Sequence, residues 1–180
     1  MRPVVFSVIV AFVLAGCGPS EALKRAKTPA EASEASPQYA AGWAAFQKND
    51  FTTALRQWLP LARQGVAKAQ VSVGQIYDFS LTPPEYEKAV SWYRKASEQG
   101  DPQGQANLGI MYMAGFGVPQ DYQLAHMWLN LAASGLSDPR DSSAAANNRD
   151  IVQANMTPAQ IAEGQALARK CQASNFKRCG

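Results

Sequence analysis

The stretch Ala106-Asn107-Leu108-Gly109-Ile110-Met111-Tyr112, continued by Met113-Ala114-Gly115-Phe116-Gly117-Val118-Pro119-Gln120-Asp121, decides the fold. Leu108, Met111 and Tyr112 fall at i, i+3 and i+4, one face of a helix. The glycines and proline that follow end it, and Asp121 is placed to cap the next helix. A second copy lies 35 residues upstream, where Gly74 answers Gly109 and Tyr77 answers Tyr112. Gly65, Gly100 and Gly135 keep the same 35-residue step. Ala54, Ala89 and Ala125 recur at 35 and then 36 residues. A period in the mid-thirties marks a solenoid of two-helix units.

Each unit also reads as helical inside. Phe51, Ala54, Leu55, Trp58, Leu59 and Ala62 form one apolar face. Tyr86, Ala89, Val90 and Tyr93 begin the same pattern, and Ala69, Val73, Ile76 and Tyr77 mark a shorter helix between them. Asp50 is a second N-cap, and the three periodic glycines, Gly65, Gly100 and Gly135, are expected to take the left-handed conformation that stops a helix. The extra residue of the second unit falls in its turn, where Met113 to Asp121 answers the Pro83-Pro84 turn of the first.

These segments, with Ala89-Val90-Ser91-Trp92-Tyr93-Arg94-Lys95-Ala96 and Trp128-Leu129-Asn130-Leu131-Ala132, resemble the Sel-one-like repeat, a relative of the tetratricopeptide repeat. The resemblance covers about residues 41–170. It implies an all-α fold, a short solenoid of antiparallel helix pairs with helical caps. Asp78-Phe79-Ser80-Leu81-Thr82-Pro83-Pro84 departs from it, because the Gly-x-Gly-Val turn is missing there. The expected organisation is a helix-pair cap over residues 38–65, two repeats over 66–135, and capping helices with a cysteine-containing tail over 136–180. In the last part a polar stretch containing Pro139 precedes a helix around Ala144 to Ala154. Thr157-Pro158-Ala159-Gln160 then starts a helix with Thr as cap, Pro first and Gln third, and Ile161, Gly164, Ala168 and Cys171 share one face.

The N-terminus carries an address. Arg2 precedes the apolar run Val4 to Ala15. Twelve helical residues reach roughly 18 Å, well short of a hydrocarbon core of about 30 Å, so the run fits a signal peptide better than a membrane span. It ends in Leu14-Ala15-Gly16-Cys17, which resembles the lipobox of bacterial lipoproteins. The resemblance implies cleavage after residue 16, acylation of the Cys17 sulfur and a membrane anchor through that lipid. Each buried methylene contributes about 0.8 kcal/mol, so several acyl chains hold almost irreversibly. The mature start Cys17-Gly18-Pro19-Ser20 lacks the Asp that retains many such proteins in the inner membrane, which points to the outer membrane, facing the periplasm. Residues 17–37 read as a polar tether reaching roughly 25 Å.

Composition narrows the chemistry. Hydrophobic residues make up 47% of the 180, enough for a core. The net charge is +3, and loss of Arg2 with the leader leaves 16 basic and 14 acidic residues, too near balance for a nucleic-acid partner. Cys17, Cys171 and Cys179 have no metal-ligand spacing and the single histidine is His126, so no metal site and no cofactor is expected. His126 has no nucleophile motif beside it. Cys171 and Cys179 would meet an oxidising compartment, where a structural disulfide is favoured over a redox-active pair.

The function expected from these features is an envelope-anchored scaffold or adaptor for an unknown protein or peptide, without catalysis of its own. Tyr77, Asn107, Tyr112 and His126 are the candidate partner-binding groove. Two alternatives stand beside it. One is a cell-wall or β-lactam ligand-binding hydrolase of the cysteine-rich repeat type, although no cysteine pair falls within these repeats. The other is a purely structural outer-membrane lipoprotein that holds the cell wall through its basic tail.

Overall fold

A computed structural model describes residues 36–177 and 179. Cys17, the leader and nearly all of the expected tether lie outside these residues. Among those described, the chain is built from helices alone, α1 Pro37–Phe46, α2 Phe51–Arg63, α3 Ala67–Gln75, α4 Tyr86–Ser97, α5 Pro102–Ala114, α6 Tyr122–Gly135, α7 Pro139–Gln153 and α8 Pro158–Ala173. Helices α1 to α7 pack each on the next in chain order, as a solenoid requires. None of the described helices is long and apolar enough to cross a membrane.

The starts follow from side-chain chemistry. Asp50 Oδ1 accepts from the Thr53 amide, Asp101 Oδ1 from Gly104 and Asp121 Oδ1 from Leu124, each satisfying an N–H that no helical carbonyl can reach. Thr157 and Gln160 form a reciprocal capping box, with Pro158 at the first helical position. Gly65 and Gly100 stop α2 and α4 in left-handed conformation, at φ 93° and 82°.

Gly135 departs from that expectation. It is the last residue of α6, and the chain leaves it through an extended Leu136. A Cβ at 135 would come 2.9 Å from the Pro102 ring, so the glycine there serves close approach of α6 to α5 rather than reversal. Helix α7 also begins earlier than its apolar pattern suggests. Asp138 caps it and Pro139 is its first residue, because a proline at that position gives up an N–H that would be unpaired anyway. In the first repeat, where the glycine turn is missing, α3 continues into a π-helical turn over Ile76–Ser80.

Two main cores run through the stack. The first gathers Ala54, Trp58, Leu61, Ala62, Val66, Ala69, Val73 and Ile76 between α2 and α3. The second gathers Ala89, Val90, Tyr93, Leu108, Met111, Met127, Trp128 and Leu131 across α4, α5 and α6. Trp58 Nε1 donates to the Tyr39 carbonyl at 3.0 Å, and Tyr39 Oη lies 3.1 Å from Ser72 Oγ, which ties the cap to the first repeat.

Helix α8 breaks the solenoid order. It lies on α6 rather than on α7. Gly164, Ala168 and Cys171 form its buried face, while Ile161 is only half covered. Beyond it Asn175 and Phe176 take left-handed φ values of 51° and 62°, and the chain doubles back. The Cys171–Cys179 disulfide closes that tail, and both cysteines join the second core.

Candidate interaction surfaces

Tyr77 and Tyr112 occupy equivalent positions and are both half-buried against the second core. The Lys88 ammonium sits 5.2 Å above the centre of the Tyr77 ring. Arg94 Nη2 donates to the Tyr112 hydroxyl at 2.8 Å. Asn107 lies on α5, where its Oδ1 accepts from Gln103 Nε2 at 3.3 Å. His126 corrects the expected set. It is 1% exposed, beneath α8, where the missing side chain of Gly164 makes room for the imidazole. A partner segment cannot touch it. Burial, and secondarily the Arg149 charge, hold the imidazole pKa below its ordinary value, while Gln153 and Asp150 oppose that shift.

Below the Tyr77 turn, the Tyr93 hydroxyl donates to Asp78 Oδ2 at 3.1 Å. Burial raises the Asp78 carboxyl pKa and the hydrogen bond partly offsets it. Tyr93 is itself driven far up, by burial first and then by Asp78. A phenol and carboxyl held in this way lock a turn in place. The closing pair, Glu85 with Lys88, sits on the surface of the same turn.

The turns also carry the apolar surface. Phe79 is 62% exposed and Phe116 is 45% exposed, each in the segment joining the first helix of a repeat to its second. Phe116 stacks on Tyr86 with centroids 4.7 Å apart, and a Cβ at Gly117 would come 2.5 Å from the Tyr86 carbonyl carbon. The turn of the second repeat thus rides on the start of α4. Neither phenylalanine belongs to the helical apolar pattern. A large apolar residue inside a turn was the available sign of them, and periodicity alone passes over it.

A separate groove runs between α4 and α6, roofed by the C-terminal tail. It encloses about 340 Å³ and is lined by Arg94, Glu98, Tyr112, Leu124, Trp128, Lys177 and Cys179. The residues are spread over four segments of the chain, so no local motif announces them.

Residues 67–101 and 102–135 each match the Sel1 repeat, unit for unit with the α3–α4 and α5–α6 pairs. The chain carries two Sel1 repeats. Sel1 repeats are generally surfaces for protein–protein contact. An F-box protein of Arabidopsis thaliana is 41% identical over 80 residues, which are 44% of this chain and 21% of that one. Protein sel-1 homolog 2 of Rattus norvegicus is 34% identical over 90 residues, 49% of this chain and 13% of its own length. The chain therefore spans about a fifth or less of these curated relatives. Among solved structures, a protective antigen of uropathogenic Escherichia coli displaying an SLR fold aligns over 85% of this chain and 36% of its own, with TM-score 0.67 and 23% identity. A Sel1 repeat protein from Oxalobacter formigenes aligns over 66% of this chain and 92% of its own, with TM-score 0.52 and 24% identity. At these identities both likenesses concern the fold.

Proposed function

We propose that this chain is an envelope-anchored scaffold that grips a protein or peptide partner and carries no catalytic activity of its own. The observation that carries the reading is the exposed pair Phe79 and Phe116, set on the turns of two adjacent Sel1 repeats. Large apolar side chains left outside the core at equivalent turns are the material of an interaction surface, and aromatic anchors dominate binding energy in such surfaces. Leu14-Ala15-Gly16-Cys17 supports acylation of Cys17 after export, with the repeats held at the periplasmic face of the outer membrane. The burial of His126 argues against the hydrolase alternative, because the single imidazole has no path to a ligand.

Photo-crosslinking in intact cells tests the scaffold. A crosslinker placed at Phe79 or Phe116 should trap one recurring protein, while one at the exposed Gln172 should not. Equal yields from all three positions, or none above background, would sink the proposal.

A further inference from the structure

The groove between α4 and α6 is built by long-range arrangements that the repeat does not need. Asn175 and Phe176 both adopt left-handed backbone without being glycine, a conformation that persists only where its surroundings hold it. Phe176 is held by Gly100, where a Cβ would come 2.7 Å from its ring. The disulfide then fixes Cys179 on the second core and carries Lys177 to the groove mouth.

The lining has a definite chemical character. Arg94 extends one nitrogen to the Tyr112 hydroxyl, which leaves donors of its planar fork for a ligand. Lys177 adds a second cation from the tail, and no ion pair to another described residue engages either. Glu98 stands in the same lining and brings one negative charge. Among the described residues the lining holds two cations and one anion, a set that suits a single carboxylate beside an N–H donor better than a multiply charged phosphate. Leu124 and Trp128 supply an apolar floor.

We propose that this groove binds the free C-terminal residue of a peptide. Its carboxylate meets Arg94 and Lys177, its backbone N–H donates to Glu98, and its apolar side chain rests on Leu124 and Trp128. Charge-assisted bonds to a guanidinium are the strong members of such a set. The inference deepens the scaffold reading and rests on it, since it names what part of a partner is held. The site is distinct from the Phe79 and Phe116 turns.

Heteronuclear NMR on the oxidised, isotope-labelled full chain tests it, with N-acetyl-leucine, its amide and inorganic phosphate as probes. N-acetyl-leucine should give saturable shifts at Arg94 Nε and Trp128 Nε1, and the amide and phosphate should give none. Arg94→Gln and Lys177→Gln, both at exposed positions, should each weaken binding about tenfold while the remaining spectrum stays unchanged. Reduction of Cys171–Cys179 should weaken it similarly. Equal shifts from the amide or from phosphate, or no shifts with N-acetyl-leucine, would overturn the proposal. Undiminished binding after reduction would overturn the role of the tail. Crosslinking at Phe79 and Phe116 reads the scaffold independently, so loss of one reading leaves the other standing.

Discussion

Gly74 lies against the ring of Tyr93, so close that a methyl group at 74 would come 2.5 Å from Cε1. Gly109 repeats the relationship one unit later against Leu129, at 2.8 Å. The 35-residue spacing of these glycines therefore marks where the two helices of each repeat touch. Ordinarily Gly→Ala inside a helix stabilises by about 1 kcal/mol. Here the added methyl meets a phenol that is 0% exposed and tied to Asp78, so the ring cannot retreat. Gly74→Ala should destabilise by about 1–3 kcal/mol, the range for overpacked cores. Gly65→Ala is the contrast: nothing lies within 4 Å, and only its φ of 93° opposes the change, at about 1–2 kcal/mol. Urea midpoints of both variants check this, and a Gly74→Ala protein as stable as the parent would contradict the packing argument.

The tail disulfide closes a short loop, with a sequence separation of 8. Chain entropy alone gives such a loop about 2.5 kcal/mol of stabilisation. Its loss also frees Cys179 and Phe176 from the second core. Cys179→Ser should therefore lower the urea midpoint by at least that equivalent, and reductant should lower the parent to the same value. A midpoint insensitive to reductant would mean that α8 is held by its face on α6 alone.

Repeat period and capping chemistry were open to reading because they are local. Asp50, Asp121, Thr157 and Gln160 act on amides three residues away, so sequence spacing contains the whole interaction. The glycines were ambiguous. The same residue type serves reversal at Gly65 and Gly100 but close approach at Gly135, and only the neighbour across the fold, Pro102, separates the two. The return of α8 onto α6 was not legible, since nothing within Pro158–Ala173 states which helix its apolar face will meet. His126 was misplaced for that reason. On α6 alone it reads as a surface residue, and only the fold brings Gly164 of α8 and Gln153 of α7 against it.

The anchor can be checked apart from the fold. If Cys17 is acylated, Cys17→Ser should move the protein from the membrane fraction to the soluble or unprocessed pool and abolish incorporation of labelled fatty acid. The described helices should be unaffected, because the lipid site is 19 positions before Ser36. Fatty-acid incorporation that persists in Cys17→Ser would refute lipid anchoring at that residue.

His126 gives stability a pH dependence with a definite sign. Burial and Arg149 place its folded pKa below the unfolded value of 6.5. Below about that pH the unfolded chain takes up a proton that the native imidazole refuses, so protons favour unfolding. Stability should thus fall as pH drops from about 7 through the folded pKa, then level off once both states are protonated. Asp78 acts with the opposite sign. Its raised pKa strengthens the native state toward acid and loses that contribution as pH rises above the unfolded value of 3.8. Asp78 adds its own pH dependence to the parent curve, so that curve alone does not isolate the histidine. Thermal midpoints of His126→Gln and the parent, taken from pH 8 to pH 5 and subtracted, do. The difference should favour the parent least at pH 5, and a difference constant across that range would show that His126 titrates alike in both states.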